Sequence, residues 1–229
     1  METGITVRPA ESGDLGELAS LLAEAFVATP VASWLISDVS IRYTTFLRVF
    51  EVELAHALVH GAVEVAGNRE GVAVWQSYPM RLDTATDHER AYLGATGDFR
   101  RRFAHLRLVR AEHRMAALRL PGGREVGPGG RELVYLAAAP WLRCRRIGAA
   151  LLDHHHRQLD AAGLVGHTVT DEEYVRDLLC RRGYRTPGPR HLSPAGPPLW
   201  SLRRDPLPDR RARPAHRRPA DRVTAPVAR

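Results

Sequence analysis

Three arginines, Arg143, Arg145 and Arg146, with Cys144 among them, lie between a stretch that reads as a buried strand and one that reads as an amphipathic helix. A strand feeding a short turn that opens a helix is suited to anions. The first helical N–H groups lack intrahelical acceptors, and the helix dipole favours negative charge there. Guanidinium groups add charge-assisted hydrogen bonds to phosphate oxygens. The chemistry would be phosphate binding without lysine. All 33 basic residues are Arg, so a Schiff-base lysine, a Walker-type lysine and a lysine general base are excluded. Other reactive residue types are scattered. His154, His155 and His156 are consecutive, and successive helical residues point about 100° apart, so the three cannot all face one metal ion. Exposed helix histidines are expected instead, and no metal site. Cys180 reads as a buried structural thiol. Glu64 and Glu132 are candidate bases without an assigned place, and Tyr135 and Trp75 are expected in the core. No residue is assigned a catalytic role.

The elements that must position this turn are legible in outline. Ile5, Thr6, Val7 and Arg8 alternate as a first strand. Asp14 with Glu17 resembles a capping box, and Leu15, Leu18, Leu21, Leu22, Ala25 and Phe26 then share a helical face. Pro30 reads as lying just past that helix. A second helix is expected over 41–60, capped by Gly61. Residues 63–66 and 72–75 form a hairpin about the turn 67–71. One amphipathic helix is expected over 87–119. Residues 121–130 hold five Gly and two Pro and read as a loop. A buried strand over 133–138 follows, then the Arg-rich turn and a helix over 147–162 stopped by Gly163. A strand over 165–170 and a helix over 171–182, with Gly183 after its end, come next. Tyr184 with Arg185, and residues 199–202, read as two last strands.

The chain has 229 residues, 44% hydrophobic and 26% charged, ordinary for a globular domain. The net charge of +7 is unevenly spread. Residues 204–229 hold eight Arg and three Asp, so this stretch carries +5 and the remainder +2. With five prolines and no apolar periodicity, 204–229 is expected to be a disordered tail behind a single domain at 1–203. Two cysteines do not make a disulfide framework, no signal-peptide pattern opens the chain, and no apolar run reaches membrane-spanning length. A cytoplasmic location is expected.

The segment Leu136-Ala137-Ala138-Ala139-Pro140, followed by Arg143-Cys144-Arg145-Arg146-Ile147-Gly148-Ala149, resembles the strand and pyrophosphate loop of the GNAT superfamily of N-acetyltransferases. Residues 177–184, ending in Gly183-Tyr184, resemble that family's helix end, and Ile5 to Ala10 its opening; the likeness spans residues 3–203. It implies an α+β fold with a mixed, mostly antiparallel central sheet of six to seven strands flanked by helices. It further implies that acetyl-CoA is the cosubstrate. Backbone groups of Leu136, Ala137 and Ala138 would pair with the pantetheine, and the turn Arg143, Cys144, Arg145, Arg146, Ile147, Gly148 and Ala149 would hold the pyrophosphate. The chain departs from the pattern at Arg146, where the family has glycine, at Cys144, often glycine, and at Leu179, where many members place a tyrosine that protonates the leaving thiolate. Val169 stands where a strand glutamate is common.

The resemblance therefore implies acetyl transfer to an unidentified small-molecule or peptide amine, with no membrane partner. Two other readings stand beside it. One is a catalytically degenerate, CoA-binding or non-enzymatic protein, motivated by Arg146 and Leu179. The other is a nucleic-acid-binding module resting only on the basic tail, which would bind phosphates without sequence readout; nucleic acid is not the expected partner.

Overall fold

The computed structural model describes residues 4–78, 82–118, 130–139 and 145–207. Its strands are β1 (Val7–Pro9), β2 (Gly61–Ala66), β3 (Gly71–Tyr78), β4 (Gly130–Ala138), β5 (Val165–Thr170), β6 (Pro189–His191) and β7 (Pro198–Arg204). They form one sheet in the order β1-β2-β3-β4-β5-β7-β6, antiparallel everywhere except β4 beside β5. The helices are α1 (Leu15–Phe26), α2 (Pro30–Leu35), α3 (Val39–His60), α4 (Leu82–Ala95), α5 (Arg100–Leu118), α6 (Arg145–Ala162) and α7 (Glu173–Cys180). The expected α+β class and mostly antiparallel sheet of six to seven strands are thus what the chain forms, with seven.

Alternation along the strands builds two cores, one on each face of the sheet. Val72 and Val74 of β3 join Leu18, Leu22, Phe46 and Phe50 beneath α1 and α3. Their neighbours Ala73 and Trp75 face the other way, against Ile147, Leu151 and Leu152 of α6. A central strand buried on both faces reads as a continuous apolar run, which is what residues 72–75 are. Each fully buried leucine contributes roughly 1.5–3 kcal/mol over an exposed one. Gly71 sets how closely α6 approaches: a Cβ there would run into Cγ2 of Ile147 and stand 3.2 Å from Leu151 Cδ1. The start of α6 is therefore held tight against β3.

Several local expectations are corrected. Pro30 does not mark the end of a helix but opens α2, where its missing N–H is harmless, and Thr29 Oγ1 accepts from Ala32 N at 3.2 Å. The single helix expected over 87–119 is two, α4 and α5, divided by a 3₁₀ turn at Gly97–Phe99 in which Gly97 takes φ +55°. The apolar period runs across the break and hides it. Asp14 does not form a box with Glu17. Its box partner is Glu11, whose N–H it accepts at 2.9 Å, and its carboxylate is buried against Arg8 and Arg69. Gly61 does cap α3 as expected, its N–H donating to the Ala57 carbonyl, and it also begins β2. Arg185 makes only an isolated bridge with Arg203, and the edge strand forms at residues 189–191.

The boundary expected between residues 203 and 204 is also displaced. Strand β7 includes Arg204, which is buried and grips Asp160 through two bonds of 2.7 and 2.8 Å. The backbone N–H of Leu207 donates to the same carboxylate at 2.8 Å. Two adjacent arginines look like a solvated run in sequence, but here each has a carboxylate waiting for it: Asp205 for Arg203 and Asp160 for Arg204. The remainder of the expected tail, 208–229, lies outside the described residues.

Candidate active site

The sheet opens where β4 and β5 part. Their parallel pairing runs from Gly130↔Val165 to Leu133↔Thr168 and stops. Beyond it, β4 keeps only β3 as a neighbour and β5 only β7. Two features drive the strands apart. The β3–β4 register shifts between Val74 and Trp75, so Val134 is an extra residue, a β-bulge that bends the strand. The bulged carbonyl accepts from Arg110 Nη2 of α5 at 3.1 Å, while Thr168 Oγ1 takes the preceding Leu133 carbonyl at 2.7 Å.

The open edge of β4 has a defined polarity. Ala139 N donates to Glu70 O at 2.8 Å, which points Ala139 at the β3 side. Alternation then turns the N–H and C=O of Leu136 and Ala138 toward the gap, and those of Ala137 back toward β3. The Ala137 carbonyl indeed lies 3.2 Å from where a Gly71 Cβ would stand. Of the three strand residues expected to offer backbone groups, alternation turns Leu136 and Ala138 to the gap and Ala137 to β3.

In the expected pyrophosphate turn, Arg143 and Cys144 lie outside the described residues. Arg145 is the first residue of α6. Arg146 is exposed. Ile147 and Ala149 bury their side chains against the sheet, which leaves only backbone groups for any ligand. Gly148 packs in ordinary contact range of Leu178 and Leu136, so crowding does not demand glycine there.

A cavity of about 80 Å³ fills the wedge, enough for a few waters. One wall is Leu133 to Leu136, the other Thr168 to Glu172. Its roof is apolar and largely aromatic, with Phe26, Phe46, Phe50, Tyr92 and Phe103. Tyr135 stands edge-on to Phe26 and Phe50, with ring centroids at 5.6 and 5.0 Å. Burial drives the Tyr135 and Tyr92 hydroxyls well above the usual phenol range, so both stay protonated at neutral pH. Val169 is buried in the wall.

Two carboxylates sit where β5 runs out. Asp171 Oδ2 accepts the Val31 N–H at 2.7 Å. Burial raises its pKa against that bond. Partial burial of the Glu172 carboxyl, and then the Asp171 charge, raise the Glu172 pKa, although the residue as a whole is exposed. Neither was singled out from the sequence. The available signal was their place, immediately after a strand that follows the turn-opened helix.

A second, polar cavity of about 70 Å³ adjoins the first and shares Tyr92, Arg110, Val134 and Tyr135 with it. Here lies Glu132, bound to Arg114 at 2.8 Å. Glu53 is held by His88 at 3.0 Å and Arg107 at 3.7 Å. The other candidate base, Glu64, is on the far side of the sheet, where His155 Nδ1 meets it at 2.8 Å and stacks on Trp75 at 3.9 Å. The histidine run is thus not an exposed one: His155 and His156 are buried, the latter 3.2 Å from the Tyr184 hydroxyl. Glu64 and Tyr184 supply the partners that make this burial tolerable. Cys180, expected to be buried, is exposed. Leu179 is fully buried in the core beneath α6 and lines neither cavity. Among the described residues no group of side chains could hold a metal ion, and no helix is long and apolar enough to cross a membrane.

No family model matches the chain, and no curated protein matches it. Solved structures do. A histone acetyltransferase HPA2-related acetyltransferase of Corynebacterium glutamicum superposes with a TM-score of 0.60 at 20% identity, covering 90% of this chain and 98% of its own. Arylalkylamine N-acetyltransferase 2 of Aedes aegypti gives 0.60 at 13% identity, covering 89% and 99%. The C-terminal condensation domain of Ebony, in complex with β-alanyl-dopamine, gives 0.64 at 12%, covering 89% and 100%. The chain therefore has the fold that these acetyltransferase and condensation-domain structures share.

Proposed function

We propose that the chain is an N-acetyltransferase that moves the acetyl group of acetyl-CoA to a small amine. The observation that carries this is the wedge between β4 and β5, where alternation turns backbone groups of Leu136 and Ala138 to the gap, without a strand partner among the described residues, and a cavity lies behind it. The fit to acetyl-CoA rests on chemistry the chain presents. An extended pantetheine amide chain pairs with a free strand edge, and the α6 N-terminus with its arginines suits the pyrophosphate. Acetyl-CoA supplies an activated thioester. Residues of the wedge would hold an amine beside that thioester, which supplies the proximity part of catalysis. The amine nitrogen forms a bond to the acetyl carbon, the carbon–sulfur bond breaks, and the CoA thiolate leaves.

The amine must lose a proton. Asp171 and Glu172, raised in pKa at the edge of the cavity, would accept it directly or through water. With Leu179 buried in the core, the thiolate would take its proton from solvent. That the Aedes aegypti neighbour is named for arylalkylamines, and the Ebony domain was solved with an amine-derived amide, supports a small amine as acceptor.

The test is calorimetric titration with acetyl-CoA, followed by thiol release against an amine panel. Asp171→Asn combined with Glu172→Gln should lower kcat by about 10²-fold or more while leaving acetyl-CoA affinity within twofold. Binding without turnover on any amine would favour the degenerate reading. No heat at millimolar acetyl-CoA would overturn the proposal.

A further inference from the structure

Arg110 is the one charged residue that lines both cavities. It lies on α5, whose arginines recur at 107, 110 and 114 along the face turned to β4. Its neighbours in that row each have a carboxylate: Arg107 takes Glu89 at 3.0 Å and approaches Glu53, and Arg114 takes Glu132. Arg110 has none within 4 Å among the described residues; the Glu132 and Glu53 charges reach it only from farther off, and with the nearby tyrosines they raise its pKa against burial. Its one hydrogen bond among the described residues is to the bulged Val134 carbonyl at 3.1 Å, and its guanidinium carbon lies 5.8 Å from the Tyr135 ring centroid. A guanidinium carries five N–H donors, and one held near an apolar cavity seeks an anion.

The cavity therefore has a cation at the bulge, carboxylates where β5 ends, and aromatic walls between them. An amine of uniform polarity does not match this. A molecule with an amine, an adjacent carboxylate and an apolar side chain does. We infer that the acceptor is an apolar α-amino acid, or a compound presenting the same amine–carboxylate pair, and that Arg110 binds its carboxylate. The inference rests on the N-acetyltransferase reading for the fate of the amine, but the carboxylate site itself does not.

The experiment uses amines that differ only by the carboxylate: phenylalanine against 2-phenylethylamine, leucine against 3-methylbutylamine, and alanine against ethylamine. Thiol release from acetyl-CoA gives kcat/KM for each. The native protein should favour the carboxylate-bearing member by roughly 10–100-fold, the range of a charge-assisted hydrogen bond. Arg110→Gln, which keeps a donor for the Val134 carbonyl, should abolish that preference by lowering only the carboxylate-bearing member. Arg110→Leu should do the same, provided its thermal midpoint shows it folded. A native protein that prefers the decarboxylated amines, or variants that lose both members equally, overturns the inference; the second result would give Arg110 a structural or thioester-facing role. Calorimetry with 3-phenylpropanoate, with 2-phenylethanol as the neutral control, needs no turnover. Binding lost in Arg110→Gln supports the site even where no amine is acetylated, in which case the transferase reading alone has failed. No binding of 3-phenylpropanoate to the native protein overturns the site.

Discussion

Gly71→Ala tests the contact that sets the start of α6. The added methyl would collide with Ile147 Cγ2, and it would stand 3.2 Å from both the Ala137 carbonyl oxygen and Leu151 Cδ1. The Ile147 clash cannot be relieved by rotation into solvent, because Ile147 is only 3% exposed. The helix or the strand must shift by a few tenths of an ångström at least. Overpacking of this kind costs about 1–3 kcal/mol. Removing the obstruction with Ile147→Ala costs about 2–5 kcal/mol by itself, because a buried side chain is lost. The two changes share one space, so they should not add. The double variant should be more stable than the sum of the singles by roughly 0.5–3 kcal/mol, the coupling range for residues in contact. Urea unfolding of the native protein and the three variants measures the cycle. The single Gly71→Ala variant should also bind acetyl-CoA more weakly, since the helix that opens the phosphate turn is displaced. Additivity within about 0.5 kcal/mol would refute the shared-space argument. An unchanged midpoint for Gly71→Ala would refute the close approach itself.

Ending the chain after Arg203 removes the Arg204 grip on Asp160 and should cost about 2–3 kcal/mol, or ~4–12 °C in thermal midpoint. Ending it after Leu207 should leave the midpoint within a degree or two; equal midpoints for the two truncations would refute the placement of the boundary. Asp14, whose pKa is held well below the carboxylate range first by Arg8, then by the Glu11 N–H and Arg69, stabilises the fold above its unfolded pKa and loses that effect as pH falls. Asp14→Asn should therefore lower the midpoint at pH 7, with the gap to the native protein narrowing below about pH 4; a constant gap between pH 7 and pH 3 would contradict this. Leu179→Tyr should add no acetyl-transfer rate and should cost about 1–3 kcal/mol, because the larger side chain enters a filled core; a faster variant would show that this position reaches the thioester after all.

What the sequence disclosed of the fold follows from how far each signal is local. Residues 72–75 announce a strand buried on both faces, and the hairpin turn is closed by its neighbours in sequence. Helix ends needed partners that are distant or that mimic a stop. Thr29 with Pro30 opens a helix in this chain, yet the same pair closes helices elsewhere, and only the cap bond to Ala32 decides. His155 and His156 looked surface-bound because their type is polar. Their burial depends on Glu64 from β2 and on Tyr184, residues no helical period brings to mind. Arg204 went to the tail for the same reason, its partner Asp160 being 44 residues away.

The site divides along the same line. The order strand, arginine turn, helix is contiguous, so the strand β4 and the helix α6 that flank the proposed phosphate turn were legible. The proposed acceptor end draws on elements from α1 to β7 and left no motif. One trace of it was present nonetheless. The apolar face of α5 carries Phe103, Leu106 and Val109, and Arg110 follows on a turn that this face should bury. A charged residue on an otherwise apolar helical face must be paid for by something the helix packs against. For Arg107 and Arg114 that something is a carboxylate of the fold. For Arg110 the described residues offer one hydrogen bond, to the Val134 carbonyl, with the Glu132 and Glu53 charges acting from beyond 4 Å, and the residue lines both cavities. A guanidinium with no carboxylate within 4 Å among the described residues, placed where β4 and β5 part, is open to an anion brought by a ligand. This is why the acceptor's chemistry is better read from α5 than from the family-like turn on α6.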